Sequence, residues 1–195
     1  MGLRVAANHS DRFDRFVVAN TFLPTCDDSF FKVNDGFYGW KKHAPTLVAG
    51  EIGDMMVLGT AGPSYPDLSE EEKYGYSAPF PSDEYKAGAR RFPEIVPTAP
   101  RDPTGRQQTA QAENNKAAWE VFKAWRKPVL TAFSDSDNVM VGGDQVWLDN
   151  CPGCAGQSHV TIKGCGHFLQ DGGADQLTAA LVEFVQKNPG AKARL

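Results

Sequence analysis

Val129-Leu130-Thr131-Ala132-Phe133-Ser134-Asp135-Ser136-Asp137 is the stretch on which the fold turns. Its first five residues form a short, largely apolar run with no polar alternation, set just after Pro128. That pattern suits a strand covered on both faces of a parallel sheet. The strand runs without a spacer into a polar turn with two carboxylates. In open parallel sheets functional groups gather at the carboxyl ends of strands, where loops vary while the sheet stays fixed.

Outward from this strand the same alternation continues. Before it, Glu113–Arg126 places Ala118, Val121, Phe122 and Trp125 at i, i+3, i+4 and i+7, one face of a helix that ends before Pro128. After it come a helical stretch around Gly143–Leu148 and a strand at His159-Val160-Thr161-Ile162. That strand ends in Gly164-Cys165-Gly166-His167, and a closing helix follows whose face holds Leu177, Leu181, Phe184 and Val185. Near the start, residues 1–14 read as the end of a helix, and Phe16-Val17-Val18-Ala19 as a buried strand ending at Asn20. This order predicts an α/β fold with parallel strands joined by right-handed crossovers.

Between residues 24 and 111 the character changes to Pro, Gly, aromatics and short charged clusters, with weak helical stretches at Ser82–Arg91 and Ala44–Met55. A structureless loop of this length inside a compact domain is improbable, so an inserted helical subdomain is expected. The domain reading is therefore core at 1–23, insertion at 24–111 and core again at 112–195.

Composition narrows the function. With 20 Lys+Arg, 24 Asp+Glu and a net charge of -4, the chain has no basic footprint for nucleic acid or an anionic membrane surface. No apolar run approaches the roughly 20 residues a membrane helix needs, and the start lacks a secretory signal, which predicts a cytoplasmic protein. Four cysteines in 195 residues are expected to be reduced thiols. Cys151-Pro152-Gly153-Cys154 could be redox-active or half of a metal site with His159, Cys165 and His167. Its spacing matches no usual zinc motif, so it reads mainly as a tight turn, with no metal expected.

Two strand ends carry chemistry. The acidic turn Ser134–Asp137 and the loop at His167 stand in the order acid, then His, of triad partners in α/β-hydrolases. A His that activates water needs a carboxylate on its far ring nitrogen to fix the tautomer and stabilise the imidazolium. Gly164 and Gly166 suit a loop that must turn sharply to aim a ring inward. Either Asp137 or Asp135 can be that carboxylate on residue type alone.

Three blocks carry a resemblance. Arg12-Phe13-Asp14-Arg15-Phe16-Val17-Val18-Ala19-Asn20-Thr21, the run from Ala78-Pro79-Phe80-Pro81 through Ala89-Arg90-Arg91-Phe92-Pro93, and Gly166-His167-Phe168-Leu169-Gln170 are similar to haloalkane dehalogenases of the α/β-hydrolase superfamily. The subfamily resembled places its triad acid after the later strand. The resemblance implies an α/β-hydrolase core with the 24–111 insertion as its helical cap. It implies hydrolysis of a small halogenated alkane to alcohol and halide through an alkyl-enzyme ester, with no cofactor. It makes His167 the base, Asp137 its orienting acid and Trp40 the cap tryptophan that holds the halide, and it lines the substrate pocket with Phe37 and Phe92. Asn20 occupies the place where the sister subfamily carries its acid, and an amide cannot replace that carboxylate.

The nucleophilic Asp of the resembled family lies in an Asp-Trp-Gly segment that the 195 residues do not contain. The resemblance therefore implies a C-terminal portion, with the nucleophile and the earlier strands expected before Met1. The chain alone is then expected to be inactive and to leave an apolar sheet edge open. Two other readings remain. An epoxide hydrolase, also built on an Asp nucleophile, needs paired cap tyrosines, with Tyr38, Tyr65, Tyr74, Tyr76 and Tyr85 available. A non-catalytic remnant would bind only a hydrophobic ligand or a partner chain.

Overall fold

The computed structural model describes residues 1–30, 32–47, 68–98 and 109–190. Three strands, β1 (Phe16–Val18), β2 (Val129–Ser134) and β3 (Val160–Ile162), form a parallel sheet in the order β1-β2-β3. Phe16 pairs with Val129, and Ala132 pairs with Val160. The central strand is buried from Val129 to Phe133, which explains the lack of alternation in its sequence.

Side chains along β2 point alternately to the two faces, as a strand requires. Val129 and Phe133 enter an aromatic cluster with Phe16, Trp119, Phe122, Trp125 and Trp147. Leu130 points the other way, against Ala180 and Phe184. The first face is covered by α1 (Gly2–Asn8), α5 (Thr109–Lys123) and α6 (Gly143–Asn150), and the second by α8 (Ala174–Lys187), which follows the short α7 (Leu169–Gly172). Phe122 and Trp147 are almost wholly excluded from solvent, and their ring centroids lie 5.1 Å apart at 64°. Truncating either ring to Ala costs about 3–5 kcal/mol, so this cluster fixes β1 and β2 in place.

Between β1 and α5 the described residues form helices, 3-10 turns and loops but no strand. The helices are α2 (Asp35–His43), α3 (Glu70–Ser77) and α4 (Ala87–Arg91). Local chemistry accounts for two of them. Asn34 caps α2 by accepting from the Phe37 N–H, and Lys41, Lys42 and His43 favour its C-terminal dipole end. Ser69 and Glu72 form a capping box at the start of α3, whose first turn holds Glu70, Glu71 and Glu72.

Several boundaries differ from the sequence reading. Residues 1–14 contain α1 followed by a 3-10 turn at Ser10–Arg12. The long helix starts at Thr109 and stops at Lys123, so Trp125 packs from the turn beyond it. Ser82–Arg91 splits into a 3-10 turn at Asp83–Lys86 and α4. Of Ala44–Met55, Ala44–Thr46 is a 3-10 turn and residues 48–55 lie outside the described residues. In α8 the expected face is corrected at Val185, which is 46% exposed while Ala180 is buried. Each residue turns the helix by about 100°, which carries Val185 off the stripe centred on Phe184. No helix among the described residues is long and apolar enough to cross a membrane.

Candidate functional site

The turn after β2 and the loop after β3 meet. Asp137 is 1% exposed, and its Oδ2 lies 2.8 Å from His167 Nδ1. Its other oxygen, Oδ1, accepts from the Val139 N–H at 2.7 Å. Both carboxylate oxygens are thus engaged, which fixes the rotamer and aims one oxygen at the ring. A carboxylate partner demands the Nδ1–H form of the neutral imidazole, leaving Nε2 as a proton acceptor. The Phe168 ring stands edge-on to the imidazole at 5.2 Å and 68°.

Asp135 has a different place. Its Oδ1 accepts from the Gly164 N–H at 2.9 Å, and Lys163 Nζ lies 3.7 Å from its Oδ2. The Gly164 N–H chiefly holds the Asp135 carboxyl below its ordinary value of 3.8. Asp135 therefore anchors the start of the His167 loop and does not touch the ring. Gly164 itself sits at φ 74°, the left-handed conformation that glycine adopts without penalty.

Asn20, at the end of β1, holds these loops together. Its Nδ2 donates to Ser134 Oγ at 2.7 Å and to His167 O at 2.8 Å, and lies 3.2 Å from Gly166 O. Its Oδ1 accepts from the Ser134 N–H at 2.9 Å, and Ser134 Oγ donates to Gly166 O at 2.8 Å. The residue is 8% exposed with φ 34°, a conformation for which Asn is enriched among non-glycines. One amide therefore joins the carboxyl ends of β1 and β2 to the main chain at His167.

His167 faces a cavity of about 670 Å³ that is also lined by Asn20, Phe22, Phe37, Trp40, His43, Phe92 and Met140. This volume lies within the range of small-molecule sites, roughly 300–1,000 Å³. Phe37 is buried and meets Phe22 edge-on at 5.1 Å. Trp40 packs on the small cluster of Ala44, Leu47 and Leu68, and among the described residues its indole N–H has no acceptor. Phe92 is 50% exposed, so it contributes an edge of the cavity and not its floor. The described residues lining the cavity include no carboxylate.

Helix α2 reaches the acid turn through two contacts. Asn34 Nδ2 donates to Asn138 O at 2.8 Å, and a Cβ on Gly36 would stand 2.4 Å from that same oxygen. The glycine permits the approach and the asparagine holds it, which brings Trp40 and His167 to one cavity. His43 was not anticipated from sequence, although its place three residues after Trp40 puts it near the same helical face. The linking role of Asn20 is not legible in sequence either, because an amide at a strand end has no pattern that names its partners.

No cluster of three or more metal-ligating side chains occurs among the described residues. Cys151, Cys154 and His159 line a separate cavity.

No protein-family model matches the chain. It is 40% identical to a haloalkane dehalogenase of Psychrobacter cryohalolentis over 97% of its own length and 58% of the relative's. It is 36% identical to one of Mycolicibacterium paratuberculosis over 95% of its length and 57% of the relative's. The chain thus spans less than three-fifths of these curated relatives. Among solved structures, a loop variant of haloalkane dehalogenase DbeA from Bradyrhizobium elkanii superposes with a TM-score of 0.72 at 17% identity, covering 95% of this chain and 63% of that one. Haloalkane dehalogenase DatA from Agrobacterium tumefaciens C58 gives 0.71 at 15% identity, covering 95% and 62%. The parallel sheet, the helices on both its faces and the 40% identity lead to one conclusion: the chain is homologous to the haloalkane dehalogenases over nearly its whole length and has part of their α/β-hydrolase fold.

Proposed function

We propose that these residues form the hydrolytic half of a haloalkane dehalogenase, with His167 as general base, Asp137 as its orienting acid and Trp40 as a halide donor. The observation that carries this reading is the 2.8 Å contact of His167 Nδ1 with a buried carboxylate, beside a mostly apolar cavity that Trp40 also lines. An uncharged haloalkane suits such walls. Residues 24–111 act as the cap over the core formed by 1–23 and 112–195, and Phe37 and Phe92 form part of the substrate pocket.

The reaction divides in two. An Asp carboxylate attacks the carbon bearing the halogen, the carbon–halogen bond breaks, and the halide leaves with the electron pair. Trp40 donates its indole N–H to that developing charge. His167 Nε2 then takes a proton from water, the hydroxide adds to the ester carbonyl, and the bond from the acyl carbon to the alkoxy oxygen breaks as the imidazolium returns that proton to it; the alcohol leaves and the regenerated carboxyl loses its proton to solvent. Asp137 stabilises the imidazolium formed in that step. These 195 residues contain no Asp-Trp-Gly, so this reading assigns the nucleophile to none of them.

The epoxide hydrolase alternative gains no support from the described tyrosines. Tyr38 donates to Thr98 O, Tyr76 to Asp171, and Tyr74 and Tyr85 are 73% and 63% exposed. None lines the cavity, and Tyr65 lies outside the described residues. The four free cysteines suit a reducing compartment, and we place the protein in the cytoplasm with no nucleic-acid or membrane partner.

Bromide titration of tryptophan fluorescence tests the halide role on the chain itself. Saturable quenching that Trp40→Phe abolishes is the expected result. Quenching that is unsaturable, or indifferent to that substitution, would support a remnant without a halide site.

A further inference from the structure

The proposed reaction leaves one motif of the sequence unused. Cys151-Pro152-Gly153-Cys154 forms a 3-10 turn at the end of α6, and both cysteines are free and nearly inaccessible, at 2% and 3% exposure. The Cys154 N–H donates to Cys151 O at 3.0 Å. A bond of that kind brings the two α-carbons within about 7 Å, and disulfides span about 4.4–6.8 Å.

The turn is held from outside as well. A Cβ on Gly153 would stand 2.1 Å from Lys127 O, so the loop packs directly on backbone. Cys154 O accepts from the Gln157 N–H at 3.2 Å and lies 2.8 Å from His159 Nε2. Both cysteines line a cavity of about 610 Å³ together with His159.

We propose that Cys151 and Cys154 are a built dithiol site, oxidised by hydrogen peroxide to an intrachain disulfide. Cys151 is the attacking sulfur. The neighbouring Cys154 thiol chiefly holds Cys151 below the ordinary thiol value, while Cys151 and burial push Cys154 well up. The Cys151 thiolate attacks one peroxide oxygen, the oxygen–oxygen bond breaks, and a sulfenic acid and hydroxide form. The Cys154 sulfur then attacks the Cys151 sulfur, the sulfur–oxygen bond breaks, and the Cys154 proton leaves with that oxygen as water. Two thiols lose two electrons and two protons, and one peroxide becomes two waters. Because the turn already sets the spacing, the bridge forms without moving β3.

Trypsin places Cys151 and Cys154 together in the peptide Lys127–Lys163, apart from Cys26 and Cys165. Treating the folded chain with peroxide and alkylating remaining thiols should give that peptide lighter by two hydrogens and unalkylated, and dithiothreitol should restore alkylation. In Cys154→Ser, dimedone should capture Cys151 as a sulfenic acid, whereas Cys151→Ser should give at least tenfold less capture at Cys154. The proposal fails if the native peptide stays fully alkylated while Cys26 oxidises, or if the two variants are captured equally. The mass of the unsubstituted chain decides the first point even where a variant does not fold.

Discussion

Gly36→Ala and Gly39→Ala change the same helix in the same way and should give opposite results. A Cβ at position 36 would lie 2.4 Å from Asn138 O and 3.2 Å from its carbonyl carbon, both backbone atoms next to Asp137. Ordinary contact requires about 3.4 Å or more, so α2 must retreat by roughly 1 Å or the acid turn must yield, at a cost of about 1–3 kcal/mol. At position 39 a Cβ meets nothing within 4 Å. Both variants gain the helix propensity of Ala over Gly, about 0.5–1 kcal/mol, so the comparison isolates the clash. Urea unfolding should separate them by about 1–3 kcal/mol, and thermal unfolding by roughly 2–12 °C for a chain of this size. Gly36→Ala should also weaken bromide quenching of Trp40, because the displaced helix carries the indole away from His167. A Gly36→Ala chain as stable as Gly39→Ala would refute the claim that close approach at Asn138 O sets the position of α2.

Two further outcomes follow from the hydrogen bonds. Asn20→Ala removes both donating hydrogens and one acceptor at the junction of β1, β2 and the His167 loop. Groups left unsatisfied there should lower stability by about 1–3 kcal/mol in urea unfolding, and a loss within experimental error would show that water replaces the amide. Asp135 has its folded-state value depressed by the Gly164 N–H, so its contribution is present above the unfolded value near 3.8 and is lost as pH falls through the lower folded value. Acid unfolding of the parent should therefore steepen below about pH 4 relative to Asp135→Asn, and superimposable curves would remove the loop-anchoring role.

The fold was legible where burial leaves a mark on sequence. Val129–Phe133 is apolar because both faces of β2 are covered, and its polar exit lies at the carboxyl edge. The pairing of His167 with Asp137 and not Asp135 was open on residue type alone. It depends on the Val139 N–H turning one carboxylate inward while Gly164 claims the other. The helices between β1 and α5 were poorly legible, because they are short and held by caps and tertiary contacts more than by an apolar stripe. The Asn34 cap and the Ser69/Glu72 box were the available signals for α2 and α3. Asn20 shows the limit: its role lies in contacts with residues 114 to 147 positions away, which no local pattern encodes.

Whether His167 drives ester hydrolysis is decided by single-turnover mass spectrometry. The chain is joined to the part of the Psychrobacter cryohalolentis relative that it does not cover, and a short bromoalkane is added with His167 intact or replaced by Ala. The intact form should release halide continuously. His167→Ala should release one halide per protein and then stop, with the alkyl group retained as an ester. Continuous turnover by His167→Ala at the rate of the intact form would contradict the account.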